Sequence, residues 1–230
     1  MPAFISHITY LNKFWVEMGY PESFRNDGIL GSMLPDVRYI TKQDRKLTHL
    51  KESFKDARTY GQLFDNVLGD IKNKISSPDA LLEKMRYFRI GFAFHIALDQ
   101  WWPKQIYFPS EFEKIGACLK LLDDILLASE IDKINMEDEL RLPYKIKFLE
   151  LSDALIEKWY NFVFDYVKKR PTLKNIKEIL VEGELFDEKT SEEISREVNK
   201  IFEVQDLRDR LQEMYRSFSW KEISRNQIPT

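Results

Sequence analysis

Apolar residues recur at helical spacing along almost the whole chain. Ile8, Leu11, Phe14, Trp15 and Met18 fall three or four residues apart after Ser6, which is placed to cap a first helix, and Gly19-Tyr20-Pro21 stops it. A second helix is predicted over Glu22 to Leu34, with Pro35 ending it and Asp36 at the junction with the following loop. A third helical stretch starts near Asp44, carries His49 and continues in pieces to Ile75, with Leu50, Phe54, Leu63, Phe64, Val67, Leu68 and Ile71 on its apolar face. Ser77 and Pro78 supply an N-cap and a first helical residue for a helix over Ala80 to Trp102, closed by Pro103. Because that helix is apolar nearly all round from Ile90 to Leu98, it is expected to run through the middle of the fold.

Pro109-Ser110-Glu111 opens the next helix, which continues from Phe112 to Ser129 with Ile115, Leu119, Leu122, Ile125 and Leu126 on one face. Further helices are predicted over Met136 to Lys169, Leu173 to Val181 and Ser191 to Phe218. The last sets Ile194, Val198, Ile201, Val204, Leu207 and Leu211 beside many charges, which reads as an amphipathic helix with a solvated face. No stretch alternates apolar and polar residues between hairpin turns, so no sheet is predicted. The expected fold is all-α, a multi-helix bundle around the central apolar helix at about residues 80–102. One domain should span residues 1–230, with residues 183–230 as a C-terminal helical extension beyond a polar stretch around Glu182 to Glu192.

Composition narrows the class. At 230 residues the chain can bury a full core, and 43% hydrophobic with 32% charged residues is a globular balance rather than a disordered one. A net charge of −3 and a pI near 5.8 give no overall pull toward nucleic acid, so no nucleic-acid partner is expected. The single cysteine, Cys118, sits among leucines as a core filler and cannot form an internal disulfide, which fits a reducing compartment; a cytoplasmic location is expected. The amino terminus lacks the basic region of a secretory signal. The longest apolar windows fall far short of the ~20 residues a transmembrane helix requires.

The chemistry concentrates in the first hundred residues. All three histidines of the chain, His7, His49 and His95, lie there. His95 and Asp99 are four apart on one helix and project from the same face within reach of one ion. Taken alone, that pair has an equal alternative as a buried histidine–carboxylate contact that satisfies itself. His7, Asp36 and His49 come from segments that begin or end near loops, where several elements can converge on the central helix, the usual construction of metal sites in bundles. Five nitrogen and oxygen ligands suit a divalent zinc, manganese or iron, as one or two ions, and the lack of thiolate argues against a structural zinc site of the finger type. Arg38, Arg45 and Lys46 lie between proposed ligands and are candidates for holding a substrate phosphate, although ordinary surface charge is the commoner reason for such residues. Trp102 is a candidate apolar wall for substrate, with core packing as its alternative.

Four separated segments, Met1-Pro2-Ala3-Phe4-Ile5-Ser6-His7, Leu30-Gly31-Ser32-Met33-Leu34-Pro35-Asp36, Thr48-His49 and Gly91-Phe92-Ala93-Phe94-His95-Ile96-Ala97-Leu98-Asp99, together resemble the zinc-dependent phospholipase C family over about residues 1–105. The resemblance implies an all-α fold whose metal cluster hydrolyses phosphoric esters through a metal-bound hydroxide. His95, Asp99, Asp36 and His49 would surround one ion, His7 would help Asp99 hold another, and Asp36 would serve as ligand or general base. Two departures stand out. Gln105 replaces a histidine that follows a proline in the family, and the later His-x-x-x-Glu pair has no counterpart because no histidine follows residue 95. Asp123 and Asp124, possible replacement ligands, are read instead as a solvated helix face. A looser resemblance connects the chain with acyl-carrier-protein phosphodiesterases. The expected function is a metal-dependent hydrolase of a phosphodiester or phospholipid, its partner a phosphate-ester substrate with lipid as one option. The alternative is a non-catalytic helical binding or scaffold protein that retains a degenerate metal site.

Overall fold

The computed structural model describes residues 4–76, 81–106, 116–134 and 147–228. Its helices in chain order are α1 (Phe4–Met18), α2 (Arg25–Met33), α3 (Arg38–Thr41), α4 (Arg45–Thr48), α5 (Tyr60–Ile71), α6 (Leu82–Gln105), α7 (Gly116–Leu127), α8 (Asp153–Lys169), α9 (Ile176–Glu182), α10 (Glu188–Phe202), α11 (Gln205–Arg216) and α12 (Trp220–Ile223). Short 3₁₀ turns cover Glu22–Phe24, Leu34–Val37, Lys51–Phe54 and Ala128–Lys133. The fold is the all-α bundle that the apolar spacing predicts. Among the described residues no helix is long and apolar enough to cross a membrane.

Helix α6 is the axis of the bundle. Every residue from Ile90 to Asp99 is buried, as a helix without a polar face requires, and α1, α2 and α5 pack around it. Its closest neighbour is α2, and glycines set the spacing. A Cβ built on Gly91 would lie 1.8 Å from the carbonyl oxygen of Gly28, and one on Gly31 would lie 1.8 Å from that of Phe88. The obstructing atoms are backbone, so a methyl group at either position must push the helices apart. Gly91→Ala is expected to cost about 2–3 kcal/mol of unfolding free energy through overpacking, although alanine is the better helix former by ~1 kcal/mol. Urea denaturation measures this, and an unchanged midpoint would show that the two helices are free to separate.

Several sequence expectations are corrected. α6 continues past Pro103 to Gln105, because proline loses a donor yet keeps a helical φ. The predicted helix over Ser191 to Phe218 is broken at Val204, whose extended backbone (φ −82°, ψ 96°) redirects the chain so that Val198 and Ile201 of α10 and Leu207 and Leu211 of α11 are all buried. A two-stranded antiparallel ladder exists where no strand was expected: β1 (Ile75–Ser76) pairs with β2 (Lys147–Phe148), and pairs this short have no periodicity to read. Ser77, Pro78, Ala80, Pro109 to Ile115 and Met136 to Ile146 fall outside the described residues.

The segment from residue 183 onward contributes to the same core. Trp220 packs edge-on against Phe14 at 5.4 Å and lies 5.8 Å from Phe94 of α6, while Phe218 contacts Tyr10 at 5.0 Å. The Glu17 carboxylate accepts from the Ser219 hydroxyl and the Trp220 amide, both at 2.6 Å, fixing the start of α12 against the end of α1.

Candidate metal centre

The fold brings His7, Asp36, His49, His95 and Asp99 together, and all five are buried. His7 comes from the first turns of α1 and Asp36 from the 3₁₀ turn Leu34–Val37. His49 caps the C-terminus of α4, and His95 and Asp99 lie one turn apart on α6. Two interactions from α8 fix the turn that carries Asp36: the Trp159 indole donates to the Met33 carbonyl at 2.9 Å and the Tyr160 hydroxyl to the Leu30 carbonyl at 2.7 Å. Those carbonyls belong to the C-terminal turn of α2, where helical partners run out.

The ligand atoms form two groups that share His95. One is His7, His95 and Asp99, the other Asp36, His49 and His95, and within each the potential donor atoms lie within 4.8 Å of one another. His49 Nε2 is 3.4 Å from Asp99 Oδ2 and 3.7 Å from Asp36 Oδ1. His7 Nε2 is 3.5 Å from Asp99 Oδ1, and His95 Nε2 is 3.8 Å from Asp99 Oδ2. These separations exceed ordinary hydrogen bonds and leave room for an ion of ~2 Å ligand distance between the donors. The His7 and His95 rings stack at 4.1 Å, and His49 meets His95 edge-on at 5.4 Å.

Protonation favours ligation. Burial lowers the pKa of His95 well below its ordinary value, reinforced by neighbouring His7, and burial also lowers that of His49 against the opposing pull of Asp99 and Asp36. Both rings are therefore neutral at pH 7, the form that coordinates metal. Among the described residues, neither ring nitrogen of His95, nor Nε2 of His49, has a hydrogen-bond partner. A buried polar atom left so costs about 1–3 kcal/mol, a cost that coordination removes at the nitrogen it uses. The Thr48 hydroxyl lies 3.0 Å from His49 Nδ1; if it accepts from Nδ1–H, the Nε2 lone pair is left facing the carboxylates.

Asp99 is the electrostatic hub. Burial alone would raise its pKa, but Lys120 above all, with His49 and His7, holds it well below the usual carboxylate range. Arg45 and Lys120 both donate to this carboxylate, one to each oxygen. Of the residues proposed to meet a substrate phosphate, Arg45 is thus at the cluster, and Arg38 reaches its edge, 3.8 Å from Asp36 and stacked over Tyr39. Lys46 is exposed, its amide used to cap α4 on Asp44. Trp102 is buried, and its indole donates to Asp123 at 2.9 Å, so its polar edge is committed to the interior.

The reading of Asp123 and Asp124 as a solvated face is overturned, since both are completely buried. Asp124 accepts from the Ser6 amide and hydroxyl at 2.7 Å each and from the Tyr166 hydroxyl at 2.9 Å. Ser6 is therefore not an N-cap: α1 begins at Phe4, and a carboxylate from α7 serves its orphan donor. Burial, then the neighbouring Asp124 charge, pushes the Asp123 carboxyl up to about 7. Beside this pair a cavity of about 10 Å³, lined by Ser6, His7, Asp99, Trp102 and Lys120, has space for about one water or ion. Lys120 is a residue that sequence reasoning misses, and Asp123 and Asp124 are two that it misplaces. Their signal is present as charges interrupting the otherwise apolar run Cys118 to Leu127.

Fold and site define an all-α protein with a buried histidine–aspartate cluster arranged as two overlapping groups of potential metal ligands. No protein-family model, curated protein or solved structure matches the chain.

Proposed function

We propose that this protein is a metal-dependent hydrolase of phosphoric esters, its centre formed by His7, Asp36, His49, His95 and Asp99 and filled by one or two divalent ions, zinc foremost. The observation that carries the reading is the sharing of His95 between two triads of buried, closely spaced donors drawn from separate elements. A divalent ion at such a site polarises a phosphoryl oxygen and lowers the pKa of water toward neutrality. The protein's own contribution is positional. Asp36, beside the partly exposed Arg38, is placed as ligand or general base, and Arg45, with 39% of its side chain exposed, can turn from Asp99 toward an incoming phosphate. The order of motifs shared with the zinc-dependent phospholipase C family supports a phosphodiester or phospholipid substrate. A cytoplasmic location belongs to the same proposal, resting on a lone buried cysteine with no internal partner.

The occupancy of Asp99 by Arg45 and Lys120 favours a second reading, a scaffold in which two cations have replaced the metal. One experiment separates the two. Protein incubated with zinc and desalted is assayed for metal content and for hydrolysis of bis(p-nitrophenyl) phosphate, beside His95→Ala. The hydrolase reading expects at least one tightly held equivalent and turnover that the variant loses. Protein that retains no metal and shows no turnover supports the scaffold, and turnover by metal-free protein defeats both accounts.

A further inference from the structure

Away from the histidine cluster, a cleft of about 750 Å³ opens between the end of α1, α5, the first half of α6 and α12. That volume lies within the range of small-molecule sites, whereas the cavity at the cluster holds about one water. Phe64, Leu68, Ile90 and Trp220 supply the apolar part of the cleft's lining, beside the polar Thr59, Gln62 and Ser224. The lining also carries three cations, Lys72 directly after α5 and Arg86 and Arg89 on α6, the last two a turn apart, against one acid, Asp65.

None of the three cations has a carboxylate within ion-pair distance among the described residues, so the charge they bring to the edge of an apolar surface is not compensated there. Arg89 is the most telling. Its guanidinium donates to the Ile75 carbonyl at 2.9 Å and is held there, while its Nε is buried without a hydrogen-bond partner among the described residues. A guanidinium held by a neutral carbonyl at the edge of this lining keeps its positive charge available to an anionic ligand.

We infer that this cleft binds a small amphiphilic anion, a carboxylate or phosphate head on an apolar body, with the head at Lys72, Arg86 and Arg89 and the body on Phe64, Ile90 and Trp220. The charge balance excludes cationic amphiphiles, and the apolar part of the lining gives a bare inorganic anion little to bind. The inference stands apart from the metal centre, since neither triad lines the cleft.

Isothermal titration calorimetry with decanoate and decyl phosphate, against decanol and inorganic phosphate, tests it on the full chain. The expected result is saturable one-to-one binding of at least one of the two amphiphilic anions, with decanol and inorganic phosphate each at least tenfold weaker. Arg86→Gln combined with Lys72→Gln, both at exposed positions that leave the core intact, should weaken anion binding tenfold or more and flatten its salt dependence. Asp99→Asn should leave it unchanged. The inference is overturned if neither anion saturates, if decanol binds as well, if the double variant keeps full affinity, or if Asp99→Asn abolishes binding.

Discussion

Asp99→Asn is expected to empty the candidate metal centre and abolish phosphodiester hydrolysis. Asp99 contacts all three histidines, and replacing one of its oxygens by an amide removes the charge that offsets a divalent ion in a buried site. Metal content should fall from at least one equivalent to a small fraction. Turnover should fall at least ~10³-fold, equivalent to ~4 kcal/mol of transition-state stabilisation. The metal-free protein should also weaken, by about 2–3 kcal/mol, because Arg45 and Lys120 lose their shared counter-ion. Those cations limit the loss, since Arg45 is 39% and Lys120 16% exposed and both can turn outward. Elemental analysis, an ester assay and thermal melts in chelator measure the three effects. Unchanged metal stoichiometry would mean that the ion binds elsewhere.

The second large effect concerns pH. Asp123 has its carboxyl raised to about 7 by burial and by Asp124, against an unfolded value of about 3.9. The folded state holds this proton more tightly than the unfolded chain. Its stabilising contribution is therefore complete below about pH 4 and is lost as pH rises through about 7, a change of about 4 kcal/mol for this group at ~1.4 kcal/mol per tenfold in affinity. Asp123→Asn cannot ionise and should flatten the profile. Its new amide replaces Oδ1, which has no hydrogen-bond partner among the described residues, and the unmet N–H groups cost about 1–3 kcal/mol. The variant should accordingly be somewhat less stable than the parent at pH 4 and about 2 kcal/mol more stable at pH 8. Denaturant titrations of the metal-free proteins across this range check it, and parallel profiles would show that Asp123 does not titrate during unfolding.

Much of the helical frame was legible. The apolar spacing of α1 and α5 and the all-round apolar character of α6 placed those helices because a period of 3.6 residues is a local property. The i, i+4 relation of His95 and Asp99 was equally local. The convergence of His7, Asp36 and His49 on that pair could be expected from their positions near loops and from the resemblance of the motif order, not from periodicity. Neither the two-residue ladder nor the break at Val204 has a pattern of its own, and both are set by what lies opposite.

Lys120, Asp123 and Asp124 mark the boundary most clearly. In a linear reading a charge on a helix belongs to water, because that is where isolated charges are stable. Here α7 turns those charges inward, where Ser6, Tyr166 and Trp102 satisfy most of the acids' oxygens and Asp99 neutralises the lysine. The amino-acid order thus determined an all-α chain, its central apolar helix and the residue types able to hold a metal, since periodicity and side-chain chemistry are carried by near neighbours. Tertiary packing alone decided which charges are buried together, where Asp99 finds its counter-ions and where an open cleft remains, because desolvation and charge compensation depend on groups distant in sequence.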